Sequence, residues 1–200
     1  MTILVGKEVP DLTAAAVLPN NEIDNNFNIC NYIEGKFGVI FFYPLDFTFV
    51  CPSEIIALDH KIEEFQKRGA AIMTVSIDSQ FTHLAYKRTP VEQGGIGNVR
   101  FPMVADVNKN ITSSFGILHN QSVALRGVFI TDRHGIVRHQ LVNDLPIGRN
   151  IDEILRTIDA IAYHEENGEV CPANWQAGKK AIKPNQEGIS AYLRENAGSL

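Results

Sequence analysis

Gly38-Val39-Ile40-Phe41-Phe42-Tyr43-Pro44-Leu45-Asp46-Phe47-Thr48-Phe49-Val50-Cys51-Pro52-Ser53-Glu54 decides the fold. Its first six residues form a short apolar run rich in β-branched and aromatic side chains, which predicts a buried strand ended by Pro44. Downstream, Ile55, Leu58, Ile62 and Phe65 recur at helical spacing, so residues 53–68 are expected as a helix that Gly69 stops. Pro52 is tolerated in a first helical turn but not in an interior. The helix therefore begins within a few residues upstream of it, with Thr48 the best N-cap candidate. Working outward, Ala71 to Ile77 is a second buried strand. Ser79 offers an N-cap for a helix through Lys87 that ends before Pro90. Phe101 to Ala105 predicts a short strand and Lys109 to Phe115 a short helix closed by Gly116. Val128 to Thr131 and Ile136 to Leu141 flank Asp132-Arg133-His134-Gly135 as a β-hairpin. Ile151, Ile154, Leu155, Ile158, Ile161 and Ala162 mark an amphipathic helix. Strands and helices in alternation, then a hairpin and a helix, give an α/β fold with a mixed sheet. After about His164 the chain turns polar, and residues 165–188 are expected as an extended arm before a short helix near Ile189 to Glu195.

Composition narrows the function. The 200 residues are 44% hydrophobic and 20% charged, which excludes a disordered, collagenous or coiled-coil chain. Lys plus Arg is 18 and Asp plus Glu is 23, a net charge of −5 without a basic block, so neither nucleic acid nor an anionic membrane is expected as partner. The first residues lack a basic segment followed by an apolar one. The longest strongly apolar run, Phe37 to Tyr43, is too short to span a bilayer. A soluble, cytoplasmic protein is the expectation, and the sequons at Asn110 and Asn120 read as chance. There are three cysteines, Cys30, Cys51 and Cys171, with no CxxC and no His/Cys cluster. That argues against a disulfide scaffold, a zinc ribbon and a thioredoxin-type dithiol. His134 and His139 have no third ligand at recognisable spacing, so no metal site is expected.

The residues that could carry chemistry lie around the opening stretch. A cysteine in a first helical turn sits among unpaired N–H groups at the positive end of the helix dipole, and that environment favours a thiolate. The junction also falls where α/β sheets place their sites. An inert buried thiol remains the alternative for Cys51, and dipole complementation the alternative for Glu54. His60 lies on the opposite helix face from Cys51, at about 100° per residue, which weakens a Cys-His protease reading. An arginine would serve as fixed cation and donor. Arg126, at the start of the apolar strand Gly127 to Ile130, is the leading candidate, against the alternative of an exposed edge-strand arginine. Cys171, in Gly168-Glu169-Val170-Cys171-Pro172-Ala173-Asn174-Trp175, fits an exposed resolving thiol on a movable segment. Cys30 reads as a partly buried structural cysteine. Gly94-Gly95-Ile96-Gly97 is neither a Rossmann fingerprint nor a P-loop and reads as a flexible loop.

Taken together these motifs resemble the peroxiredoxins. Pro44 to Pro52 is similar to the family's Pro-x-x-x-Thr-x-x-Cys motif, Leu125-Arg126-Gly127-Val128-Phe129-Ile130 to its active-site arginine segment, and Gly168 to Trp175 to the resolving segment of the typical two-cysteine subgroup. Val142 to Arg149 also looks like that subgroup, and the similarity runs from about Val9 to Leu193. The resemblance implies a thioredoxin-like fold over residues 3–162 with a C-terminal arm over 163–200. It implies no cofactor and no metal, and a homodimer, often five dimers in a ring. It implies a peroxidase in which Cys51 is oxidised by a peroxide, assisted by Thr48, Arg126, Pro44 and Glu54. The first helical turn then unwinds, and the partner subunit's Cys171 forms a disulfide that thioredoxin or an equivalent dithiol reduces. Phe81 and His83 are carried as candidates for the contact between dimers, where the family often has Trp in place of Tyr86. The tail has Tyr192-Leu193 where overoxidation-sensitive members have Tyr-Phe, which implies intermediate sensitivity. A ring-shaped holdase chaperone and a disulfide reductase are the alternative functions; the missing CxxC disfavours the second.

Overall fold

The computed structural model describes residues 2–199. The chain divides into two compact units, Met1–Ile151 and Asp152–Leu200. The first is built on a seven-stranded sheet in the order β2-β1-β5-β4-β3-β8-β9. Its strands are β1 (Thr13–Val17), β2 (Ile23–Asn28), β3 (Phe37–Phe42), β4 (Ala70–Ser76), β5 (Met103–Ala105), β8 (Arg126–Thr131) and β9 (Val137–Asn143). A separate two-stranded ribbon pairs β6 (Leu118–His119) with β7 (Val123–Ala124). β3 pairs parallel with β4 and antiparallel with β8, so the sheet is mixed, as the pattern of elements predicts. β3 and β4 are buried at every position, which is why each reads as a continuous apolar run rather than an alternation.

Between the strands run α1 (Ile29–Ile33), α2 (Cys51–His60), α3 (Ile62–Lys67), α4 (Gln80–Arg88) and α5 (Asn110–Ser114). Ser79 caps α4 as expected, its side chain accepting from the Thr82 amide. On one side of the sheet Phe42, Phe115 and Phe129 form a tilted and edge-on aromatic cluster, with ring centroids 4.7–5.7 Å apart. None of the described helices is long and apolar enough to cross a membrane.

Several expectations are corrected. The single helix over 53–68 is two helices broken at Lys61. At the break Arg100 Nη2 donates to the Asp59 carbonyl at 2.6 Å, and the Lys61 amide bonds Leu58 O in a 3₁₀-type bond. Thr48 does not cap α2. Val50 holds that position and no side-chain cap is made. The Gly94–Gly97 loop is tied down: Gly95 N donates to Pro90 O, Ile96 N to Tyr86 O, and Ile96 is buried. β1, β2 and α1 carry no strong pattern and escaped the sequence reading.

The second unit holds most of α6 (Ile151–Asn167) and α7 (Gln186–Asn196), with a largely irregular segment between. The segment closes on itself through a bridge of Val170 with Ile182. Trp175 is buried, its ring 5.1 Å from that of Tyr163, and Arg156 Nη1 donates to the Trp175 carbonyl at 2.9 Å.

Candidate active site

The carboxyl end of β3 delivers the chain to a loop, residues 43–50, and then to α2, with Cys51 as the first helical residue and Pro52 just after it. Cys51 is fully buried. Two donors converge on its sulfur: Thr48 Oγ1 at 3.0 Å and Arg126 Nη1 at 3.4 Å. Thr48 Oγ1 is also 2.9 Å from the Leu45 carbonyl. One hydroxyl proton serves one acceptor at a time. Facing a thiolate, Thr48 donates to sulfur; facing a thiol, it donates to Leu45 and can accept the S–H. This explains why Thr48 is not a cap, since its oxygen is engaged with the thiol three residues on.

Arg126 opens β8, an interior strand between β3 and β9, and it is buried rather than placed at an exposed edge. Its Nε donates to Leu145 O at 2.6 Å, and its Nη1 also reaches Glu54 Oε2 at 2.8 Å. Glu54 therefore does more than complement the helix dipole. Its two oxygens take Arg126 and also Arg149, whose backbone N, Nε and Nη2 all lie at 2.8 Å. Arg149 completes its shell on the Phe42 and Gly127 carbonyls, both 2.7 Å from Nη1, with its guanidinium over the Phe41 ring. Burial pushes the Arg149 pKa down and Glu54 opposes it. The guanidinium stays charged. The sequence reading missed Arg149. Its one signal was membership of the Val142 to Arg149 stretch.

Pro44, in the loop that carries Thr48, is buried. Cys51, Thr48, Arg126 and Glu54 are thus gathered at one end of the sheet, with donors aimed at a buried sulfur. His83 is different. It is fully buried and bonded to Asp46, so it cannot lie on a contact surface, whereas Phe81 on the same helix is 68% exposed.

Cys171 lies in the second unit and is half-buried rather than exposed, its Sγ 3.6 Å from the Ala160 carbonyl. Burial raises its pKa, and Arg156 pulls it back. Tyr163 Oη donates to Glu169 at 2.9 Å and His164 Nδ1 lies 2.8 Å from the Glu169 carbonyl, so α6 holds the residues just before Cys171. Cys30 points its thiol toward the Val9 and Pro10 carbonyls, and burial, then Asp11, raises its pKa.

Residues 5–140 match the model of the AhpC/TSA family. The chain belongs to that family. Residues 160–195 of this AhpC/TSA protein also match the C-terminal domain of 1-Cys peroxiredoxin. Alkyl hydroperoxide reductase C of Helicobacter pylori strain 26695 is 50% identical over 198 residues, covering 99% of this chain and 100% of the relative. Peroxiredoxin-2 of Mus musculus is 47% identical, covering 96% of each chain. The crystal structure of the reduced 2-Cys peroxiredoxin of Plasmodium vivax superimposes with a TM-score of 0.94 at 49% identity, over 96% of this chain and 100% of that one. The expected thioredoxin-like fold holds on this likeness.

Proposed function

We propose that this AhpC/TSA family member is a thiol peroxidase that reduces hydrogen peroxide and organic hydroperoxides, with Cys51 as nucleophile. The observation that carries the reading is the convergence of Thr48 Oγ1 and Arg126 Nη1 on a buried sulfur at a helix start. The Cys51 thiolate attacks one peroxide oxygen, and an S–O bond forms as the O–O bond breaks. The sulfur becomes a sulfenic acid, and the second oxygen leaves as an alcohol or water after taking a proton. Thr48 and Arg126 are donors already in place for the charge that develops on those oxygens. Glu54, fixed by Arg149, holds the Arg126 guanidinium at its angle. Pro44 screens the pocket from water.

The Cys171 thiol of a second subunit then condenses with the sulfenic acid, releasing water and forming an intersubunit disulfide. Thioredoxin or a similar dithiol reduces it by exchange. A homodimer is the minimal working unit, and a ring of five dimers is the proposed assembly, with exposed Phe81 as a contact. A reducing compartment such as the cytoplasm suits a disulfide that must be transient.

A non-reducing gel after one equivalent of hydrogen peroxide tests the scheme. Wild type should run as a covalent dimer, C51S and C171S should each stay monomeric, and C30S should still link. A dimer band that depends on Cys30 would overturn the assignment.

A further inference from the structure

A second buried cluster holds the loop that carries Pro44 and Thr48. Tyr43 Oη donates to Asp46 Oδ1 at 2.6 Å. Asp46 Oδ2 lies 2.7 Å from His83 Nδ1, with both side chains fully buried. His83 Nε2 is 3.2 Å from the Val104 carbonyl oxygen. Farther along, the Asp46 amide donates to Asp78 Oδ2 at 2.9 Å, and Ser76 Oγ donates to that same oxygen at 2.7 Å.

The proton inventory follows from the atoms. A carbonyl oxygen only accepts, so His83 Nε2 carries a proton. Two lone pairs do not face one another at 2.7 Å in a dry site, so a second proton lies between Nδ1 and Oδ2. Whichever of the two atoms bears it, the pair is neutral overall and its facing atoms are matched. A fully satisfied buried polar cluster rigidifies what it touches. What it touches here is strained: Phe47, between Asp46 and Thr48, has φ +52°, a conformation side-chain-bearing residues rarely adopt. Such a residue persists only where its neighbours are anchored.

We propose that Asp46 and His83 are positioning residues for the peroxide reaction. Their shared-proton bond clamps residues 44–48 to α4 and thereby sets Thr48 Oγ1 on the Cys51 sulfur. The proposal rests on the thiol-peroxidase reading and adds to it two residues that touch neither sulfur nor substrate.

The test compares two reactions of Cys51 in the reduced full-length protein at one pH, oxidation by hydrogen peroxide and alkylation by iodoacetamide, each followed by mass spectrometry of the Cys51 peptide. Alkylation needs a reachable thiolate but no donors on a leaving oxygen. D46A removes the clamp. D46N is the isosteric rescue, since its Oδ1 still accepts from Tyr43 and its Nδ2 donates to a neutral His83. D46A should react with peroxide roughly 10- to 100-fold more slowly, the scale of a small misplacement at a reacting centre, while alkylation stays within about twofold. D46N should regain most of the lost peroxide rate. Y43F, which deletes one bond to Asp46 and little volume, should slow peroxide alone by about fivefold, and it carries the test if D46A fails to fold. Parallel losses in both reactions, or an unchanged peroxide rate in D46A and Y43F, would overturn the proposal. A wild type inert to peroxide would instead remove the underlying peroxidase reading, so the two failures are distinct.

Discussion

The sharpest prediction concerns Glu54. Its carboxylate accepts four hydrogen bonds at 2.8 Å, one from Arg126 and three from Arg149, and all three side chains are almost fully buried. In E54Q the volume is conserved but one oxygen becomes an NH₂ group. If the remaining oxygen keeps the Arg149 N and Nε bonds, the new amide faces Arg126 Nη1 and Arg149 Nη2, donor against donor. Two charge-assisted bonds are lost, each worth about 1.5–3 kcal/mol. Two guanidinium groups also lose their buried counter-charge, and breaking such a pair from one side costs about 3–5 kcal/mol. The two routes agree on a loss of about 3–5 kcal/mol, which for a domain of this size lowers Tm by roughly 6–20 °C. Urea unfolding of the reduced protein, followed by far-UV circular dichroism at fixed protein concentration, measures it. E64Q, at the exposed Glu64–Lys67 pair, is the control and should leave the midpoint in place. Peroxidase activity of E54Q, measured well below its Tm, should fall at least tenfold, because Arg126 keeps only its Leu145 anchor. A stability loss below about 1 kcal/mol would refute the claim that Glu54 is the counter-charge of both arginines.

T48V keeps the shape of Thr48 and deletes its proton; peroxide consumption should drop by about 10²- to 10³-fold, with T48S recovering most of it. Lys87 is 1% exposed, its Nζ donating to Leu18 O at 2.7 Å, and burial pushes its pKa down to about 8. The native value lies below the unfolded one, so the penalty of burying the cation is full below pH 8 and fades as pH rises toward about 10.4. Denaturation midpoints at pH 7.5 and 9.5 should show a gain in the wild type that K87M lacks. L193F, which restores the Tyr-Phe pair of the overoxidation-sensitive members the tail resembles, should raise the sulfinic fraction of Cys51 after a peroxide pulse, read by mass spectrometry; an unchanged fraction would refute it.

The strand–loop–helix core of the site was legible because its signals are local: an unbroken apolar run, Pro52 near a helix start, and an arginine heading an apolar strand. What escaped depends on partners far along the chain. Arg149 lies between Gly148 and Asn150 and looks like a loop residue until Glu54, 95 positions away, is seen to hold it. His83 reads as a surface residue because nothing beside it reveals the carboxylate of Asp46, which folding brings against it. β2 has only Phe27 buried among Asp24, Asn25 and Asn26, since as an edge strand it turns polar residues to water. The break at Lys61 was equally invisible, since the Arg100 side chain that meets the Asp59 carbonyl there lies 41 positions away. Thr48 was expected both as a helix cap and, by the resemblance, as a partner of the cysteine; the cap is not made, and the hydroxyl lies against the Cys51 sulfur instead.

That last feature has a consequence for motion. A side-chain cap is ordinarily worth about 1 kcal/mol to a helix, and α2 begins without one. An energy of that size is about a fivefold change in how often the segment opens. The amides of Ser53 and Glu54, which donate to the Val50 carbonyl at this uncapped start, should therefore exchange their hydrogens sooner than those deeper in α2. The Cys51 sulfur is mounted on the first residue of that uncapped helix, while Arg126 belongs to β8 and Arg149 is fastened to the Phe42 and Gly127 carbonyls of the sheet.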